Sequence, residues 1–598
     1  MHRRDLLKGW AALPLAAALA PVAAAARANV RRVRPTDPAW PSAARWDELK
    51  QRVGGHLLVP QPLAAACETA PDSTACFALP ATLRNPYYIG DQPGGTQSSG
   101  WLDAWTPQQS AYAVAAHRAD DVVAAVNFAR QHNLRLVVKG GGHSYLGTSN
   151  APDSLLVWTR AMNAISLHEG FVPGGLEGVQ APVPAVSVGA GCMWMDVYDA
   201  VTTKAGRYVQ GGGCTTVGVA GLVQSGGFGS FSKGFGTAAA NLIEAEVVTA
   251  DGRLRTVNAR RDPELFWAIK GGGGGSLGVV TRLTLRTHDL PQTFSAVIGT
   301  VQAKSDEAFE RLIARFMGFY AEALMNPHWG EQVTVHSDNK LVFAMLGQGL
   351  NQAESTAVWA PFRQWVAAAP KDYSAAGPLI FAVPARTFWD APSQKHNGAM
   401  VLDDRPGAPP DHGYWSGDRG QVGAFWHAYD SIWLPERLLQ SSQRERLAGA
   451  MFDASRSATF ELHFNKGLAG APPEALARVR DTATNPEVTQ AFALAIVAND
   501  GPPAYPGLPG TAPDLVSARR NAAKVAASAS ALRSVAPGAG SYVSESNYFN
   551  ADWCNAYWGP NYPKLRQIKA RYDPDGLFTV HHGVGSDEWS PDGFTRLG

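Results

Sequence analysis

A chain of 598 residues is too long to close around one hydrophobic core, so two or more domains are expected. Its 45% hydrophobic content and 18 tryptophans place it among globular rather than disordered chains. With 52 basic against 51 acidic residues and a formal charge of +1, it carries no electrostatic footprint for nucleic acid, and that partner class is set aside.

The chain opens MHRRDLLKGWAALPLAAALAPVAAAARA, with Arg3 and Arg4, an Ala/Leu-rich run, and small residues ending Ala26, Arg27, Ala28. Residues 1–28 read as a twin-arginine export signal that is removed, which implies the twin-arginine translocase as a partner and a periplasmic or secreted product. No other stretch is long and apolar enough to span a bilayer, so no membrane anchor is expected. Residues 29–105 form a lead segment rich in Pro, Gly and Ala, with a short helix at 46–53 and the apolar run HLLVP, wrapping the domain that begins at residue 106. Cys67 and Cys76 lie close together within it, and an oxidising compartment would let them pair. Cys192, Cys214 and Cys554 remain; Cys192 and Cys554 are either two thiols or one bridge. No two cysteines show zinc-ligand spacing, so no metal is expected.

Residues 106–290 alternate strands and helices. A strand at 111–116 leads to a helix at 120–132 with Val122, Val123, Val126 and Ala129 at helical spacing and Asp120 and Asp121 at its positive end. The strand at 134–138 then runs into Gly140, Gly141 and Gly142, a turn without Cβ atoms through which backbone N–H groups can approach a phosphate. A second cycle comes next: a strand at 185–190, a helix at 193–205 and a loop carrying Cys214. Residues 244–257 form a hairpin turned at Asp251-Gly252. A short helix, PELFWAIK, and five glycines from Gly271 to Gly275 precede a strand from Val279. Glycine packed between helix and strand in a compact domain marks a backbone that passes close to something.

After residue 290 the glycine density falls. Strands at 294–301, 332–336 and 341–346, the last two turned through Ser337, Asp338 and Asn339, alternate with amphipathic helices at 306–323 and 354–368. Residues 291–540 therefore predict an antiparallel sheet backed by helices. Residues 401–414 hold Asp, Pro and Gly without periodicity and read as a loop at a pocket rim. The fold class is α+β: a two-part domain of small mixed sheets with helices, then a second domain on the antiparallel sheet.

Three motifs stand in order along the chain: KGGGHSY at 139–145, YVQGGGCTTVGVAGLVQSGGFG at 208–229, and YWGPNYPKLRQIKARYDPDGLF at 557–578. Together they resemble the berberine-bridge-enzyme-like flavoprotein oxidases, within the vanillyl-alcohol-oxidase type of FAD fold. The resemblance implies an FAD-binding domain over 106–290 and a carboxyl-terminal segment, 541–598, that returns to it. It implies that His143 bonds the flavin 8α-methyl and that Cys214 bonds ring carbon 6. Imidazole and thiolate are the side chains able to attack an electrophilic flavin near neutral pH. It further assigns cofactor contacts to Lys139, Gly140, Gly141, Gly142, Ser144 and Tyr145 in the first loop. In the second loop the contacts are Gly213, Val217, Gly218, Gly221, Leu222, Gly227 and Gly229. Gly278 and Val279 come after the five-glycine run, and Asn561 and Tyr562 come from the tail. Leu222 departs from the family, whose members commonly carry histidine there.

A flavin oxidase needs a substrate C–H aimed at ring nitrogen 5 and a base for the adjacent O–H or N–H proton. In ATFELHFNKG, strand alternation puts Thr459, Glu461 and His463 on one face and Phe460, Leu462 and Phe464 on the other. Glu461 and His463 are the candidate bases if that face looks toward the flavin; otherwise they meet water. Tyr542 is the third candidate, with Glu545 and Tyr548 nearby. His581 and His582 are read as loop residues pointing apart. The activity implied is oxidation of a CH–OH or CH–N carbon of a carbohydrate, alcohol or secondary metabolite, with molecular oxygen as acceptor. A dehydrogenase with another acceptor, and a flavin-carrying binding protein without turnover, are the alternatives.

Overall fold

A computed structural model describes residues 31–597; the export-signal reading of residues 1–28 lies outside them. The strands among the described residues form four sheets. In the first, Tyr112–Ala115, Ser154–Trp158 and Arg135–Lys139 run parallel, with Leu57–Leu58 antiparallel at one edge. The helix Ala119–Gln131 buries Val122, Ala125, Val126 and Ala129 against it, one stripe of an amphipathic helix. A second, antiparallel sheet joins Leu254–Asn258, Leu242–Val248, Val279–Asp289, Val183–Gly189 and Ile165–Phe171, and Arg207–Val209 extends it at the end of the long central strand. The predicted hairpin turns at Gly252, whose φ of 74° is the left-handed backbone that glycine supplies freely.

The third sheet has eight strands, in the order Tyr373–Pro384, Thr293–Ala303, Lys340–Gln348, Trp329–Val335, Phe460–His463, Ala491–Gly501, Phe425–Pro435 and Gly100–Trp101. All neighbours are antiparallel except the last pair. Helices Asp306–Phe319, Gln352–Ala367, Ser441–Ser457 and Leu515–Arg533 cover one face and share with it one apolar cluster that includes Phe316, Trp359, Met451 and Leu532. The opposite face is left for a cavity. The architecture is α+β, with small sheets and helices beside a large antiparallel sheet backed by helices.

Several elements differ from the sequence reading. The lead segment does more than wrap: Leu57–Leu58 and Gly100–Trp101 join the first and third sheets. The helix expected at 193–205 is α-helical only over Trp194–Tyr198; Asp199–Lys204 continues as a π-helix, with Ala205 N–H donating to Ala200 O five residues back. The loop expected at 401–414 contains a hairpin, Met400–Leu402 with Gly413–Trp415, whose three-residue arms are too short to show alternation in sequence. Cys67 and Cys76 form a disulfide, and Cys192, Cys214 and Cys554 are unpaired. Among the described residues no helix is long and apolar enough to cross a membrane, and no cluster of three or more His, Cys, Asp or Glu could hold a metal.

Candidate active site

The first sheet ends at Lys139 and releases the chain into the first glycine loop; the second loop comes after Arg207–Val209. The two loops meet back to back. A Cβ on Gly141 would stand 2.8 Å from Gly218 N, and one on Gly218 2.7 Å from Gly141 N, so neither position has room for a side chain. The five-glycine run meets the second loop's helix through Gly273 N–H, which donates to Gln224 O at 2.7 Å, and is tied to the tail by Trp558 Nε1, which donates to Gly271 O at 3.0 Å, and by Lys569 Nζ, which donates to Ser276 O at 2.6 Å.

These loops and the open face of the third sheet enclose a cavity of about 1240 Å³. That exceeds the ~300–1,000 Å³ of a usual small-ligand site and leaves room for a dinucleotide and a substrate together. Its wall includes Gly140, Gly141, Gly142, His143, Ser144, Tyr145, Gly213, Cys214, Val217, Gly218, Gly221, Leu222 and Gly278 of the expected cofactor contacts, together with Glu461, His463 and Tyr542. Six expected residues do not line it. Lys139 lies buried behind the loop, its ammonium bonded to Gln92 O and Pro93 O and pushed down to about 7 by burial. Gly227 donates to Tyr542 Oη at 3.4 Å, and Gly229 packs so tightly on Gly211 that a Cβ would meet its carbonyl at 2.4 Å. Val279 sits in the apolar cluster under the first sheet. Asn561 holds the carbonyls of Ala483 and Thr484, and Tyr562 donates to Asp587.

His143 is half-buried at the cavity wall, and desolvation pushes it down to about 4, so the imidazole is neutral at physiological pH. Its Nε2 lies 3.1 Å from Thr216 Oγ1. Burial raises the Cys214 thiol well above its ordinary value, and the nearby Asp418 carboxylate raises it further, so the sulfur rests as a thiol rather than a thiolate. Leu222 packs beside Gly212 and Gly227 and gives the loop an apolar cover.

On the sheet side, Phe460 and Leu462 are buried in the core, while Glu461 and His463 face the cavity and lie 2.9 Å apart. Burial acts to raise Glu461, but the His463 hydrogen bond and the charge of Lys466 outweigh it, leaving the carboxylate below its ordinary range. Tyr542 is different. Its hydroxyl is engaged by Gly227 N–H, its ring lies edge-on to Phe228 at 5.0 Å, and burial drives its phenol far above neutrality.

The sequence reading missed several wall residues. Lys466 pairs with Glu545 at 2.5 Å, and Tyr429 lies within electrostatic reach of Glu545, Tyr145, Glu461 and Cys214, marking where the two halves of the site converge. Asp418 reaches the wall from the turn after the 400–415 hairpin. His581 and His582, expected to diverge, stack with centroids 3.8 Å apart because His582 adopts φ 52°. Of these, Lys466 had a local signal in standing on the same ATFELHFNKG segment as the candidate bases, and Glu545 in standing beside Tyr542, whereas Tyr429 and Asp418 had none.

A family model described as an FAD binding domain matches residues 110–258, and one described as berberine and berberine like matches 541–585. The chain is 28% identical to FAD-linked oxidoreductase malF of Malbranchea aurantiaca, covering 95% of this chain and 94% of the relative. It is also 28% identical to the VAO-type flavoprotein oxidase VAO615 of Thermothelomyces thermophilus, over 95% of each. The crystal structure of MtVAO615 from Myceliophthora thermophila superposes with a TM-score of 0.75 at 26% identity, covering 94% of this chain and 98% of that one. The chain is an FAD-dependent oxidoreductase similar to the VAO-type flavoprotein oxidases. The glucooligosaccharide oxidase of Acremonium strictum, described as carrying 6-S-cysteinyl, 8α-N1-histidyl FAD, shares the fold, with a TM-score of 0.59 at 18% identity over 82% of this chain and 94% of that one. The wall of this flavoenzyme fits its cofactor: Cβ positions built on Gly213 and Gly221 meet no atom within 4 Å, so bare backbone faces open cavity there.

Proposed function

We propose that this flavoenzyme is an oxidase that removes a hydride from a CH–OH or CH–N carbon of a carbohydrate, alcohol or secondary metabolite, with FAD attached through His143 and Cys214. The observation that carries the reading is the meeting, in one cavity, of a neutral imidazole and a thiol on the glycine loops with the Glu461–His463 pair on the facing sheet. FAD held by these loops would supply the hydride acceptor at ring nitrogen 5 and reactivity toward molecular oxygen. Thr216 occupies His143 Nε2 and so favours attachment through Nδ1, in accord with the N1-histidyl linkage of the Acremonium oxidase. Glu461, ionised and oriented by His463, takes the substrate proton. Ile298 and Phe381, partly exposed on the sheet face of the cavity near Phe388 and Trp415, support a substrate with an apolar body.

Export through the twin-arginine route remains our reading of the leader, and the Cys67–Cys76 disulfide accords with an oxidising destination. The test of turnover is anaerobic mixing of the purified holoenzyme with a panel of sugars, alcohols and amines, followed by admission of air. Bleaching of the flavin by at least one substrate, then hydrogen peroxide release in air, is expected. Bleaching without peroxide would make the protein a dehydrogenase with another acceptor, and a flavin that no substrate bleaches would make it a carrier.

A further inference from the structure

The hairpin at 400–415 is fastened to the cysteine loop on both sides of Cys214. Trp415 Nε1 donates to Gly213 O at 3.1 Å, and Thr215 Oγ1 donates to Gly413 O at 2.8 Å. The chain then enters the 3₁₀ turn Ser416–Gln421, which brings Asp418 to the same cavity wall as Cys214 and within its electrostatic reach. Asp418 Oδ2 is buried and has no hydrogen-bond partner among the described residues. A buried, partnerless carboxylate oxygen is costly and calls for a function. The other charged groups near the pair are already engaged or repulsive: Lys466 is held by Glu545, and Glu331 acts on Asp418 as a like charge.

We propose that Asp418 is the proton acceptor for Cys214 when that cysteine is joined to the flavin. The inference rests on the covalent reading above. In the step, the thiol S–H breaks and its proton passes to the Asp418 carboxylate, while the sulfur electron pair forms the bond to ring carbon 6. The hydrogen displaced from that carbon leaves as a proton, and molecular oxygen accepts the two electrons. In total, one thiol, one ring C–H and one dioxygen give one thioether and one hydrogen peroxide. The charge balance agrees with this role: burial holds the Cys214 thiol well above its ordinary value, and burial, opposed by the Cys214 hydrogen bond and aided by Glu331, raises Asp418 to about 6, close enough to neutrality to take up a proton.

The test is peptide mass mapping of full-length holoenzyme after denaturation and alkylation of every remaining thiol, comparing wild type with Asp418→Asn, Asp418→Glu and Cys214→Ala. In the wild type Cys214 should carry flavin and resist alkylation. Asp418→Asn should keep flavin on His143 yet form the Cys214 thioether at least about ten-fold more slowly. Incubation at alkaline pH should restore the bond in that variant, and Asp418→Glu should form it without such treatment. Thioether formation at the wild-type rate in Asp418→Asn would overturn the proposal. So would failure in both Asp418 variants at every pH, which would make the residue a packing element. A fully alkylatable Cys214 in the wild type would remove this inference and the cysteine attachment together, leaving the His143 attachment and the turnover assay standing.

Discussion

In the proposed mechanism Glu461 takes the substrate proton, and its surroundings fix how activity should then depend on pH. Its acidity is enhanced by His463 and Lys466, and a base works only when deprotonated. The rate of anaerobic flavin reduction should therefore be flat through neutrality and fall only as pH drops through a value below the ordinary glutamate range, with no alkaline loss from this group. Glu461→Gln should slow reduction about 10²–10⁴-fold while leaving the flavin spectrum unchanged, as stopped-flow absorbance would show. An unchanged rate would shift the role to Glu545, the other cavity carboxylate with a fixed cationic partner. The alternation of ATFELHFNKG was enough to put Glu461 and His463 on one face; whether that face met water or the cavity depended on strands at 329–335 and 491–501 pairing on either side, which no local pattern reveals.

The hairpin at 400–415 is the element that sequence showed least. What holds it is a cluster assembled from four distant stretches: Asp91, Arg160 with Asp196, and Asp403 with Arg405 and His412. His412 lies flat on Tyr87 at 4.3 Å, with Nε2 3.3 Å from Asp196 and Nδ1 3.7 Å from Asp403. Burial acts to lower it, but the two carboxylates outweigh burial and raise it to about 9, with Arg160 opposing. Its folded-state value lies above the unfolded one, so its contribution is complete below about pH 6.5 and is lost as pH rises through 9. Limited proteolysis should show the hairpin cut increasingly between pH 7 and 9.5, and His412→Gln should be cut at pH 7 as the wild type is at the upper end. Equal protection of both proteins across that range would show that the charges do not hold the hairpin. By contrast, the glycine loops were legible because glycine clusters are local, and their need is local too: backbone meeting backbone at Gly141 and Gly218.

At the scale of the molecule, the tail explains why the FAD-binding half is continuous in space but not in sequence. Lys569 is buried and bonds Ser276 O, Phe578 O and Asp573, while Asp573 caps the N–H groups of Leu577 and Phe578. One cation thus locks the carboxyl-terminal helix Tyr562–Tyr572 to the end of the five-glycine run. Three ordered motifs made this return legible, whereas the share taken by the lead segment, with two-residue strands at 57–58 and 100–101, was too short to register. The central claim is that the chain grips FAD in this cavity and is bonded to it through the glycine loops. The most direct measurement is the absorbance of acid-precipitated, washed polypeptide from the wild type, His143→Ala, Cys214→Ala and the double variant, all purified with bound flavin. Yellow colour should stay with the wild-type polypeptide and with each single variant and leave only the double variant as free FAD; flavin that remains on the double variant, or that washes out of the wild type, would contradict the account.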